Sequence, residues 1–154
     1  MSEDRLIAAE HTFSLKQRDL LRLIVADMIP PSKEFAVPGA DDPLIFADIL
    51  SAARSAETAV AECLEIADGI ARECSGESLV DLDADGRTQV FAAIRKLPAM
   101  FLLVSLTLQC YYRDTRVMQS LGMEARPPFP GGYEVEAGDW SLLDPVRARK
   151  PFYR

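Results

Sequence analysis

The residues able to do chemistry in this chain are few. His11 is its only histidine, and it stands in the polar run Glu10-His11-Thr12 ahead of the first periodic segment. A general base must be held by packing within reach of its proton, so His11 reads as a surface residue. With one histidine in that setting, histidine-based metal sites and Ser-His-Asp triads are not expected. Asp81, Asp83, Asp85 and Gly86 match the first half of a calcium-binding loop. The second half fails: the twelfth position, which should supply a bidentate glutamate, is Ala92, and the eighth, ordinarily apolar, is Thr88. Too few oxygens remain for useful affinity, and the run reads better as an acidic helix start that complements the macrodipole. Carboxylate pairs such as Glu62 with Glu65 belong to solvated helix faces. Cys63, Cys74 and Cys110 are odd in number and lack C-x-x-C spacing. That fits reduced thiols of a cytoplasmic protein, used as small buried hydrophobes. "PGGYE" has no helix after it and "SGES" is a helix stop, so neither is a phosphate loop. Tyr111 and Tyr112, followed by Arg113 and Asp114, could bind something, or could close a buried helix with their polar tips wet. A chain with no acid–base centre is expected to be a partner, not an enzyme, with no metal or cofactor of its own.

The elements that would position these residues are helical. Ser14 followed by Gln17 is a capping-box pattern, and Leu20, Leu21, Ile24 and Met28 then recur at helical spacing until Pro30-Pro31. Asp42 and Pro43 read as N-cap and first position of a second helix with Phe46, Ile49, Leu50 and Ala53 on one face. Val60, Cys63, Leu64, Ala67, Ile70, Ala71 and Cys74 make the stripe of a third, stopped by Ser75-Gly76. A fourth is expected from about Asp85 to Leu97, ended by Pro98. "AMFLLVSLTLQCYY", residues 99–112, is apolar all round. A bilayer needs roughly 20 such residues, so the run reads as the buried central helix of a bundle, with Leu103 and Leu106 both in the core.

The chain has 154 residues and a formal net charge of −7, enough for one domain and the wrong sign for nucleic acid or an anionic membrane surface. The charge is uneven. Residues 1–125 carry 12 basic and 20 acidic residues, whereas residues 126–154 carry 5 and 4. This last stretch, "RPPFPGGYEVEAGDWSLLDPVRARKPFYR", also holds five of the ten prolines and the only tryptophan. It has no helical period, and "YEVEAGDWSLL" could form a short strand at most. Phe129, Tyr133, Trp140, Leu142, Leu143, Val146, Phe152 and Tyr153 make it too aromatic for a disordered tail. Either it wraps its own domain or it lies on another protein. The organisation expected is mainly α: an extension over 1–13, a single helical-bundle domain over 14–125, and an extended Pro/Gly/aromatic-rich docking ribbon over 126–154. No export signal is visible at the N-terminus.

"LRLIVADMIPPSKEFAVPGADDPLIFADIL" resembles the opening of the gluconate 2-dehydrogenase subunit 3 family, where a first helix ends in Ile-Pro and a Pro-Gly-Ala loop leads to a second helix. The marks here are Ile29-Pro30, Pro38-Gly39-Ala40 and the helix through Phe46 and Ile49. "YYRDTRVMQSLG" is similar to the family's tyrosine-rich helix end and Asp-Pro-Arg loop, with Thr115 in place of the proline, a departure expected to loosen the loop. The terminal ribbon resembles that of one branch. The resemblance covers roughly residues 14–154. It implies the small, non-catalytic subunit of a flavoprotein dehydrogenase, whose large subunit, of the glucose-methanol-choline type, holds the FAD. Many members carry a twin-arginine signal and escort their partner across a membrane; this sequence shows none, so a cytoplasmic complex is implied. The expected partner contacts are Pro38, Gly39, Tyr111, Tyr112, Phe129, Tyr133, Trp140, Arg147 and Arg149. The other reading is a self-contained helical module with a small-ligand pocket under the ribbon.

Overall fold

The computed structural model describes residues 12–126, 132 and 137–149. Among them every regular element is helical, and the only β pairing is an isolated bridge between Ser32 and Val37. The chain is mainly α, as its periodicity requires.

Helix α1, Leu15–Met28, starts at the expected capping box: the Gln17 N–H donates to Ser14 Oγ at 3.2 Å and the Ser14 N–H donates to Gln17 Oε1 at 2.9 Å. It buries Leu20, Leu21, Ile24 and Val25 and ends ahead of the two prolines. Loop 29–42 folds back on itself. The Ala40 N–H donates to the Ile29 carbonyl at 2.9 Å, and Ser32 and Val37 exchange two bonds of 3.1 Å each. Ala36 takes a left-handed φ of 52° at the turn, a conformation that costs a residue with a β-carbon about 1–2 kcal/mol. Helix α2, Pro43–Ala53, begins under the Asp42 cap, which accepts from the Leu44 N–H at 3.1 Å, with Pro43 at the first position. A single 3₁₀ turn, Arg54–Ala56, leads into α3, Glu57–Ser75. Gly76 ends α3 in the left-handed region at φ 81°, its N–H donating to the Arg72 carbonyl, a stop that glycine makes without strain.

Helix α4, Ala84–Ile94, is capped by Asp83, whose Oδ1 accepts from the Gly86 N–H at 2.8 Å. The carboxylate of the would-be calcium loop is thus a helix cap. The helix stops short of the expected Leu97, because the residue before Pro98 is pushed out of helical conformation. Tight turns carry the chain to α5, Met100–Tyr111. A short α6, Thr115–Ser120, follows at once from an Asp114 N-cap. Thr115 occupies its first position, a place where proline is also at home.

The bundle packs α2 on α5 and α3 on α4, with α1 seated against α3 and α5. Leu21, Ile24, Ile45, Ile49, Leu64, Leu79 and Leu103 are among its fully buried side chains. Three expectations change. Helix α5 is not buried all round: Leu103 is 1% exposed, but Leu106 is only half-buried and Phe101 is 75% exposed. Helices α1, α2 and α3 pack on α5, while Phe101 and Leu108 on its other side stay exposed. Of the cysteines, Cys63 and Cys110 are buried and Cys74 is exposed, because α3 turns its last residues out of the core. The described part of "YEVEAGDWSLL" is not a strand; Trp140–Leu143 is a 3₁₀ turn that continues as α7, Asp144–Arg147. Asp139 caps it and Pro145 sits near its start, both helix-initiating choices.

Candidate partner-docking surface

The expected contact residues fall into three groups. The first is a joint inside the body. Tyr111 is buried, and its hydroxyl donates to the Pro38 carbonyl at 3.0 Å across 73 positions of sequence. Burial raises its phenol, with the neighbouring Tyr112 and Asp114 adding to the effect. Gly39 is buried beside it, and a β-carbon there would stand 2.5 Å from Asp41 Oδ1 and 2.9 Å from Pro31 Cδ. Arg116 closes the same region. Its Nη1 and Nη2 donate to the two Asp42 oxygens at 3.1 and 2.7 Å, and its Nε and Nη2 donate to the Asp114 carboxylate at 3.0 Å each. Those bonds hold both carboxyls below the usual range, and the two acids hold the guanidinium above its own. One arginine therefore ties the N-cap of α2 to the N-cap of α6. Arg113 pairs with Asp48 at 3.1 Å on the same edge. The bond between Tyr111 and Pro38 thus joins loop 29–42 to α5.

The second group is an exposed apolar face. Tyr112 is 53% exposed and meets Tyr111 edge to face, ring centroids 5.3 Å apart at 89°. Leu108 and Phe101 lie one and three turns earlier on the same exposed side of α5, and α5 itself carries no charged residue. Sequence reasoning took this side for core, because an all-apolar helix does not show which flank stays uncovered.

The third group is the tail. Trp140, Leu142, Leu143 and Val146 are all exposed. Arg147 pairs with Asp144 at 3.4 Å, and Arg149 is exposed. Phe129 and Tyr133 lie outside the described residues, as do His11 and the final 150–154.

The most heavily bonded carboxylate was missed by sequence reasoning. Asp68 is buried on α3 and accepts from Lys16 Nζ at 2.6 Å, Arg72 Nε at 3.2 Å, Ser78 Oγ at 2.5 Å and the Leu79 N–H at 3.0 Å. Burial would raise its carboxyl; the bonds from Lys16, Ser78 and Leu79 outweigh that and hold it well below the usual range. Its spacing was the signal: Asp68 falls on the buried stripe, four residues after Leu64 and three before Ala71, whereas Glu65 does not. Its donors leave no room for a reacting group, so its work is to fasten α1 and the 77–79 turn to α3.

Between α1, α4 and α5 lies a cavity of about 70 Å³, lined by Ile24, Met28, Phe91, Ile94, Met100 and Val104 among others. That is far smaller than the roughly 300–1,000 Å³ of ordinary small-molecule sites. Among the described residues no group of three or more His, Cys, Asp or Glu side chains could hold a metal, and no helix is long and apolar enough to cross a membrane. Comparison with protein-family models, with curated proteins and with solved structures found no match.

Proposed function

We propose that this chain is a small, non-catalytic subunit that binds and stabilises a large flavoprotein of the glucose-methanol-choline type and aids its flavin loading. The FAD and the hydride chemistry on an alcohol or sugar belong to that partner. Unpaired cysteines suit a reducing, cytoplasmic setting. The observation that carries the reading is the exposure of Trp140, Leu142, Leu143 and Val146 on a segment outside the bundle. Large apolar and aromatic side chains gathered on a surface mark an interaction site, and tryptophan and arginine are the types that dominate interface energy. The resemblance of loop 29–42, the 111–122 segment and the terminal ribbon to the gluconate 2-dehydrogenase small subunits supplies the partner's class. The exposure of residues 137–149 argues against their sealing a ligand pocket of the same chain.

The test is co-expression with a large subunit of this type, reading copurification and bound flavin per large subunit. The full chain should copurify and raise flavin occupancy, and a chain ending at Ala125 should do neither. A large subunit equally loaded with flavin in its absence, with no complex on size exclusion, would overturn the proposal.

A further inference from the structure

The small cavity between α1, α4 and α5 is one end of a longer cleft. It shares Asp27 and Phe91 with a wider, more open recess of about 290 Å³ between α1 and α4, which Leu23, Ala84, Arg87 and Thr88 also line. That recess is close to the lower bound of about 300 Å³ for ordinary small-molecule sites. The two parts differ in chemistry. Ile24, Met28, Phe91, Ile94, Met100 and Val104 give the inner chamber an apolar wall, a lining that favours an apolar group over water. At about 70 Å³ the chamber is near half of the roughly 150 Å³ that holds a benzene ring, so it takes a group of about three to four heavy atoms.

Charge gathers at the mouth. Asp27 borders both chamber and recess, Arg95 borders the chamber and Arg87 borders the recess. Arg87 is half-buried, and among the described residues these three side chains make no hydrogen bond or ion pair, with one another or with any other group. Opposite charges therefore face one cleft without neutralising each other. A molecule that satisfies the whole cleft carries a cation for Asp27, an anion for Arg87 or Arg95, and a short apolar group for the chamber. Asp27 marks the place where chamber and recess meet, so the ionic groups and the apolar group must branch from almost the same atom. An α-amino acid is built that way, with its ammonium, carboxylate and side chain on one carbon. A fatty acid would leave Asp27 against an alkyl chain, and an apolar amine would leave both arginines unanswered. Bonds between ionised donors and acceptors are the strong ones. A side chain that fits the chamber is that of valine, leucine, isoleucine or methionine.

We infer that the cleft between α1 and α4 binds a free α-amino acid with a short aliphatic side chain, its ammonium on Asp27, its carboxylate on Arg87 or Arg95 and its side chain in the chamber walled by Ile94, Met100 and Val104. The cleft shares no residue with the contact surfaces described above, and the inference does not depend on the function proposed there. The test is a titration of the full-length chain, methyl-labelled at isoleucine, valine and methionine, with L-leucine, followed by NMR and by calorimetry. Saturable shifts should centre on Ile94, Met100 and Val104. Four analogues each lack one feature: isocaproate the ammonium, leucinamide the carboxylate, glycine the side chain, and L-tryptophan the fit to the chamber. Each should bind about tenfold or more weakly. Asp27→Asn and the double variant Arg87→Gln/Arg95→Gln should weaken L-leucine by the same factor. The analogue series is read on the unaltered chain, so it decides independently of how either variant folds. No saturable shift with L-leucine, or shifts centred elsewhere, would overturn the inference. So would isocaproate, glycine or L-tryptophan binding as tightly as L-leucine, or L-leucine binding unchanged in either variant. Leucinamide binding as tightly would make the ligand the N-terminus of a peptide, which also overturns a site for the free amino acid.

Discussion

Gly39 has no space for a side chain, since the β-carbon of an alanine would collide with Asp41 Oδ1 and Pro31 Cδ. Gly39→Ala is therefore expected to destabilise the fold by about 1–3 kcal/mol through forced movement of loop 29–42, read as a shift of the denaturant midpoint at unchanged slope. Asp68 carries the clearest pH dependence. Its folded carboxyl is held below the unfolded value of about 3.9. The stability it contributes is thus complete above that value and is lost as pH falls through the folded one. Asp42 and Asp114, depressed by Arg116, act in the same direction. Asp68→Asn should cost about 1.5–3 kcal/mol at pH 7 and should lose less than the wild type between pH 5 and pH 3; equal acid slopes would show that Asp68 is not the group responsible. At this scale the sequence was only partly legible. Asp42 and Ser14 announce themselves as caps by type and spacing. Asp68 does not, because its donors come from Lys16 and from Ser78 and Leu79, which a local pattern cannot bring together.

Helices were more legible than their surroundings. The 3.6-residue period of Leu20, Leu21 and Ile24, and of Val60, Cys63 and Leu64, is a local consequence of having one buried side, and the buried residues of α1 to α4 follow it closely. Helix α5 has no polar side to break its pattern, so its period hides which flank faces outward. That distinction is measurable. Leu103→Ala should cost about 2–5 kcal/mol. Leu106→Ala, at a half-buried position, should cost about 1 kcal/mol. Denaturant melts that gave the two equal costs would require a cover over α5 beyond α1, α2 and α3. The helical turns of 140–147 were hidden for another reason: they are too short to show a period, and their only local marks are Asp139 as cap and Pro145.

For the molecule as a whole, the bundle is expected to stand without its tail. Residues 137–149 are exposed throughout, so a chain ending at Ala125 should unfold within about 1 kcal/mol of the full chain, since exposed residues contribute little; a larger loss would mean that part of 126–154 closes the core. Legibility at this scale was uneven. The separation into an acidic helical body and an aromatic tail follows from composition, but which of the tail's two destinations holds is not a compositional property. The three thiols give the body an internal clock. Cys74 is on the surface, whereas Cys63, donating to the Ala99 carbonyl at 2.9 Å, and Cys110 are buried, their thiols pushed up first of all by burial. Reactivity follows the exposed thiolate. A thiol reagent should therefore modify one site at once and the other two only as fast as α3 and α5 part, so that the slow phase times the opening of the bundle from within, with no probe added to it.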